Sequence, residues 1–174
     1  MIGRAVRFSF VFLILCGLIY PLATTGLARA LFPRQSAGTL IAQDGRVVGS
    51  ELIGQTFSQP GFFHGRVAGD QNEGPSDPKL LERVKADVAK WQQENPGQPV
   101  PPDVLTNSGS GVDPHIAPAS ALAQVARISK VTGIPEAQLR TLVDQATEGR
   151  TFGLFGEPRV NVLKLNLALL QLHK

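Results

Sequence analysis

Hydrophobic and polar positions divide the chain sharply at its start. Arg4 and Arg7 precede a nearly unbroken apolar run from Phe8 to Ala28, and no charge falls between Arg7 and Arg29. Wound as a helix at about 1.5 Å per residue, residues 8–28 reach about 30 Å, the thickness of a bilayer's hydrocarbon core. In water, so many adjacent apolar side chains would need burial on every face. The pattern predicts one membrane-spanning helix, with the other residues working beside it.

Two fates of this run are open. A basic start and apolar centre also suit a cleaved signal peptide, and Ala28-Arg29-Ala30 fits the small-x-small cleavage pattern, with a mature start at Leu31. The run is longer than a usual signal core, and Pro21, Thr24, Thr25 and Gly26 are tolerable inside a membrane helix, which favours the anchor. Cys16 is no lipoprotein site, because Leu15 precedes it and apolar sequence follows it. The very short basic tail favours a cytoplasmic N-terminus, with the bulk of the chain outside the cytoplasm.

Beyond the run the periods shorten and alternate. Gly38 to Gln43 and Arg46 to Gly49, joined by Asp44-Gly45, predict a β-hairpin. Leu52, Ile53 and Phe57 continue an extended, partly buried path, Phe62 and Phe63 belong to the core, and residues 64–77 form a polar loop. Asp77 caps and Pro78 opens a helix with Leu80, Leu81, Val84, Val88 and Trp91 at helical spacing, ending before Asn95-Pro96. An extended connector runs from Pro96 to Pro102. Helices follow at about 118–131 and 135–147, closed by Gly133 and Gly149. Residues 152–157 are a loop, Arg159 to Val162 a short strand, and 163–170 a strand continuation or, preferably, a helix. The fold class expected is α+β: a tail and anchor over residues 1–32, then one mixed α/β domain over 33–174.

Charge changes the partner picture. Seventeen Lys and Arg against 14 Asp and Glu give a pI of about 9.4. All acidic residues lie at or after Asp44, and Arg4, Arg7 and Arg29 account for the whole excess. The domain after the anchor is electroneutral, without the basic footprint that nucleic acid requires. It also has no cysteine, so neither disulfides nor thiolate metal sites hold it together.

Candidate chemistry concentrates in two loops. Asp113-Pro114-His115 ends a glycine-rich stretch from Thr106 to Pro118; Asp and His two residues apart suit a general base or two metal ligands, with Ser108 or Ser110 as nucleophile. Turn capping by Asp113 explains the same residues. Gly109-Ser110-Gly111 is a weak likeness to a phosphate-cradling loop, lacking its Gly-Lys-Ser/Thr end. The histidines 64, 115 and 174 are too dispersed for a metal motif. Asp103, Asp113, Glu148 and Glu157 could pair as acid and base. Helices 118–131 and 135–147 mimic a helix-turn-helix but suit plain packing better. Glu148 with Arg150, and Glu157 with Arg159, fit buried ion pairs that fix loops as well as they fit binding.

Several blocks occur together in order: Gly17-Leu-Ile-Tyr-Pro-Leu, Thr25-Gly26 and Leu31-Phe-Pro-Arg-Gln; Gly49-Ser-Glu-Leu-Ile-Gly-Gln-Thr-Phe; Gly74-Pro-Ser-Asp-Pro-Lys-Leu; Thr106-Asn-Ser-Gly-Ser-Gly-Val-Asp-Pro-His-Ile-Ala-Pro; Thr147-Glu-Gly-Arg; and Gly156-Glu-Pro-Arg-Val-Asn-Val-Leu-Lys-Leu-Asn-Leu-Ala-Leu. Over almost its full length the chain resembles the C subunit of the bacterial Kdp potassium-transporting ATPase. Between Arg66 and Gly74 it looks shorter than that family's usual loop. The resemblance implies a non-catalytic accessory subunit in the cell inner membrane. Its partners would be a channel-like potassium-translocating subunit, a P-type ATPase subunit and a small single-helix subunit. Its extracytoplasmic domain would sit against the translocating subunit's entrance.

The resemblance also implies a catalytic chaperone that raises the pump subunit's ATP affinity, with ATP and potassium acting at the level of the complex. The sequence itself gives no nucleotide site, and without an Asp-Lys-Thr-Gly motif the chain is not the phosphorylated pump. Small residues Gly17, Ala23 and Gly26 would allow close helix approach in the membrane. The expected partner contacts are Ser108, Gly109, Ser110, Asp113 and His115 in one loop, and Glu148, Arg150, Glu157 and Arg159 in the other. The rival readings are an envelope hydrolase using Ser108, Asp113 and His115, and a secreted binding protein released by cleavage.

Overall fold

The computed structural model describes residues 2–43, 45–66, 74 and 76–172, which form two compact units, 1–50 and 51–174. In the first unit, helix α1 (Ile2–Leu31) runs 30 residues with none of its side chains buried. It is not uniform. Leu15–Ile19 widen into a π-helical turn, where the Tyr20 amide donates to the Leu15 carbonyl five residues back. Pro21 is the physical cause: it has no N–H, and its ring would crowd the carbonyl four residues earlier, so the helix gains a residue there. The Thr24 hydroxyl donates to the carbonyls of Tyr20 (2.8 Å) and Pro21 (3.1 Å), one turn back along the helix. Helix α2 (Pro33–Ser36) is a single turn.

Strands β1 (Leu40–Gln43) and β2 (Arg46–Ser50) then form the expected antiparallel hairpin, Gln43 opposite Arg46, with a bulge between Ile41 and Ala42. Its turn residue Asp44 lies outside the described residues. Gly45 beside it has φ +76°, a left-handed conformation that glycine supplies at low cost.

The second unit mixes helix and sheet. Helix α3 (Pro78–Glu94) starts as expected, Asp77 Oδ1 accepting from the Lys79 amide at 2.9 Å with Pro78 in the first turn. Trp91 is its one buried residue, and the indole donates to the Pro99 carbonyl at 3.1 Å. Leu81 stands in solvent, 57% exposed.

The helix expected over 118–131 is broken into α4 (Pro118–Leu122) and α5 (Val125–Thr132). Asp103 carboxylate oxygens take up the Ala117 amide at 2.7 Å and the Ser120 hydroxyl, fixing the first piece. Gly133, φ +77°, ends the second. Helix α6 (Glu136–Ala146) matches the helix expected over 135–147 to within a residue at each end. It runs directly into strand β4 (Thr147–Glu148), because the Thr147–Val160 and Glu148–Arg159 pairs draw the chain into a ladder.

Strand β5 (Arg159–Asn161) is the centre of a three-stranded antiparallel sheet, with β3 (His115–Ile116) on one side and β4 on the other. Residues 162–172 form helix α7 (Val162–Leu172). Asn161 makes the switch from strand to helix: its Oδ1 accepts from the Lys164 amide at 3.1 Å, as a helix cap does.

Phe63, Ile116, Val125, Ile128, Leu139, Val143, Val160, Val162, Leu165 and Leu169 form the core. Phe57 and Phe62 pack on it with ring centroids 5.8 Å apart. Leu52 and Ile53, expected to be partly buried, are 60% and 50% exposed.

Candidate functional site

The irregular segment 51–66 has few ladder partners of its own, so buried side-chain amides hold it. Asn166 Oδ1 accepts from the Phe63 amide (2.8 Å) and Nδ2 donates to the Phe63 carbonyl (2.9 Å). Gln124 treats His64 in the same way, at 2.8 and 3.0 Å. Asn161 Nδ2 donates to the Glu51 carbonyl at 2.9 Å. Arg127, only 8% exposed, donates to the carbonyls of Pro60 and Phe62, to Gln124 Oε1 and to Asn95 Oδ1. Burial pushes its guanidinium below the ordinary arginine value, with Glu94 opposing that shift. His64 is held below the usual histidine value, first by burial and then by Arg127. This outweighs the Gln59 carbonyl and Glu94, whose carboxylate lies 3.4 Å from Nδ1.

On this support stands the glycine-rich loop. Asp113 Oδ1 accepts from both the amide and Nδ1 of His115, each at 3.0 Å, and Arg66 lies 3.7 Å from Asp113 Oδ2. Arg66 also donates to the carbonyls of Thr106 and Asn107, closing the loop's base. The loop's own amides are spent internally: Gly111 on the Ser108 carbonyl, Val112 on Ser110 Oγ, and Asp113 on Ser108 Oγ. The chain after them enters β3 rather than a helix, so the loop lacks the helix N-terminus of a phosphate-binding loop.

Among the described residues no hydrogen bond joins Ser108 or Ser110 to His115; the two serines lie 3.4 Å from each other. Gly54 seals the loop from the other side. Its amide donates to the Val112 carbonyl at 2.7 Å, and a Cβ there would stand 2.7 Å from the Asp113 carbonyl oxygen. The cavity between 53–56, Arg66, Ser108 and Asp113 is about 20 Å³, room for about one water. The loop is a built and filled structure, with Gly109 and Ser110 at its exposed tip.

The second loop is organised differently. Glu148 bonds Arg159 at 3.2 Å and Lys164 at 3.5 Å, and Lys164 also reaches Glu51 at 3.4 Å. Arg150 bonds both carboxylate oxygens of Glu157 at 3.0 Å. The Glu148 carboxyl is raised by partial burial but lowered more by Arg159 and Lys164, and ends below the ordinary glutamate value. These pairs are exposed rather than buried, with 39–79% of each pairing carboxylate and about half of each arginine in solvent. They also exchange the expected partners: Arg150 takes Glu157, and Arg159 takes Glu148, across the hairpin.

Asp103, Asp113, Glu148 and Glu157 are each engaged by donors, and no two of them form an acid–base pair. Residues 67–73 of the loop expected to be shortened lie outside the described residues.

Sequence reasoning missed Arg66, Gly54 and the side-chain amides. Arg66 was one cation in a polar stretch; its partner loop is 40 residues away. A glycine flanked by Ile53 and Gln55 carries no local sign of a close contact across the fold.

The match to known proteins decides what this scaffold belongs to. The family of K+-transporting ATPase c chains, KdpC, matches residues 2–171. The chain belongs to the KdpC family. The potassium-transporting ATPase KdpC subunit of Bacillus cereus (strain B4264) is 50% identical over all of this chain and 97% of its own length. That of Caldanaerobacter subterraneus subsp. tengcongensis is 48% identical over 98% of this chain and 94% of its own, and that of Bacillus anthracis 49% over all of this chain and 97% of its own. The KdpC-family chain is thus a subunit of a potassium-transporting ATPase. Its N-terminal apolar helix fits a single-pass membrane protein.

Proposed function

We propose that the chain is a non-catalytic accessory subunit of a high-affinity, ATP-driven potassium uptake complex. Helix α1 anchors it in the cell inner membrane, N-terminus in the cytoplasm. Residues 51–174 work on the extracytoplasmic side, against the entrance of the channel-like translocating subunit. The observation that carries this reading is the end-to-end match to K+-transporting ATPase c chains in a chain whose first helix leaves every side chain unburied. The loop 106–116 supports it: Ser108, Ser110, Asp113 and His115 already bond within the loop, although Asn107 Oδ1 is buried without a partner, and such a loop suits a rigid contact surface better than a turnover site.

An effect of this subunit on ATP affinity would have to pass through the assembly, because an outward domain never meets cytoplasmic ATP. The P-type ATPase subunit and the small single-helix subunit complete the complex in this account.

Growth at limiting potassium tests it. Cells lacking only this chain should fail to grow and should recover with the full chain. Recovery with His115→Ala and Ser108→Ala variants separates the subunit from an esterase built on the same loop. N-terminal sequencing of the mature protein should find the original start; a start at Leu31 would make it a secreted protein.

A further inference from the structure

One surface feature has no role in holding the fold. The turn between β4 and β5 carries Phe152, Leu154 and Phe155 at 89%, 75% and 67% exposure, while Val160, five residues on, is fully buried. With roughly 200 Å² for each such side chain, the tip offers on the order of 400 Å² of apolar surface, the size that usually marks an interaction site.

The tip is built, not loose. The Thr151 amide donates to the Phe155 carbonyl (2.9 Å), the Phe155 amide returns to Thr151 (3.0 Å), and the amides of Gly153 and Leu154 bond Arg150 and Thr151 (3.0 and 3.2 Å). Phe152 sits at φ +55° and Gly153 at +73°. Left-handed backbone suits the glycine, but a phenylalanine pays for it with steric strain, and such strain persists where the position has a use.

We propose that the 152–155 turn is a preformed apolar plug that seats in a pocket of another subunit of the same potassium-transporting ATPase. The proposal rests on the subunit reading above and adds to it a specific contact made by the second unit.

The surrounding charges choose the occupant. Arg150, Arg159 and Lys164, the cations at the base of the hairpin, are paired with Glu157, Glu148 and Glu51. An anionic lipid surface attracts unpaired basic residues, and membrane-interface anchors favour Trp and Tyr; the turn offers neither. Two aromatic rings and a leucine within a neutral, hydrogen-bonding rim are instead the anatomy of a protein interface: a dry anchor surrounded by polar contacts. The matching pocket is apolar, deep enough for a phenyl ring, and rimmed by groups that tolerate paired charges. A rigid turn also loses little freedom on seating.

The test uses the full chain, tagged and co-expressed with the other subunits, then purified in mild detergent. Phe152→Gly removes the ring while relieving the left-handed backbone, so the chain's melting temperature should hold or rise. Phe152→Gly with Leu154→Ser and Phe155→Ser should weaken association at least about 30-fold. A benzophenone photo-crosslinker at position 152 should label another ATPase subunit.

If the unaltered chain retains no other subunit, the subunit reading itself fails. If it does and the triple variant associates equally well, the plug is wrong. Crosslinking to lipid acyl chains, with no protein adduct, would likewise overturn it in favour of membrane insertion.

Discussion

Gly54→Ala should damage this protein although it replaces only one hydrogen by one methyl. The new Cβ would lie 2.7 Å from the Asp113 carbonyl oxygen, 3.1 Å from the Asp113 carbonyl carbon and 3.2 Å from the Val112 oxygen. All three atoms are backbone, so no side-chain rotation relieves the contact. Segment 51–66 and the glycine-rich loop must move apart by several tenths of an ångström. That movement breaks the 2.7 Å Gly54–Val112 hydrogen bond, at about 1 kcal/mol, and adds overpacking strain of about 1–3 kcal/mol.

The expected loss is about 2–4 kcal/mol. With a urea dependence of about 2 kcal/mol per molar, the midpoint should fall by about 1–2 M. The assay is urea unfolding in mild detergent, followed by fluorescence of the single tryptophan, Trp91, which is buried in the same unit. Gly109→Ala is the control: nothing stands within 4 Å of its Cβ position, so the midpoint should stay within about 0.5 kcal/mol of the parent. Equal midpoints for Gly54→Ala and Gly109→Ala would show that the close approach of Gly54 to Asp113 does not constrain the fold.

Other perturbations probe the supports beneath the loop. Arg127→Met leaves the acceptors on Pro60, Phe62 and Asn95 without this donor, while Gln124 Oε1 keeps the His64 amide, and should cost about 3–5 kcal/mol in the same unfolding assay. His64 binds its proton less readily in the folded chain than in the unfolded one, so unfolding takes up protons as acidity increases. Stability should therefore decline as pH falls from 7.5 through the ordinary histidine value near 6.5, and His64→Gln should flatten that slope. Glu148 is also depressed, but its loss falls in the carboxylate range at lower pH, so the two groups separate along a pH series. Glu148→Gln, at an exposed pair, should shift stability by less than about 1 kcal/mol.

What was legible in the sequence depended on local physics. The uncharged apolar run, the Asp77-Pro78 cap and the Gly133 stop each act within a few residues, and each element appears where the pattern puts it. The strand expected over 159–162 appears at Arg159–Asn161, but the leucines beyond it fitted a strand as well as a helix, and the helix preferred there is the one that forms.

The misses are long-range. Strand β4, directly after the helix expected over 135–147, was not legible because it forms only by pairing with β5. Leu52 and Ile53 read as half-buried by composition, yet the segment is held through Asn161, Gln124 and Asn166, which leaves its aliphatic side chains outside. In the loops, the identities of Asp113, His115, Glu148 and Arg159 were plain while their partners were not. Arg150 and Glu157 meet across seven residues because the hairpin folds back on itself.

On the proposed reading, helix α1 holds this chain within a potassium pump, where it presents a chemically silent face to its neighbours. The most direct measurement is a mild-detergent pull-down of the tagged full chain from cells grown at low potassium, with ATPase activity read in the eluate. The account predicts that the other ATPase subunits and a potassium-stimulated activity elute together with it. A chain that elutes alone, as a free monomer with no such activity, would contradict it.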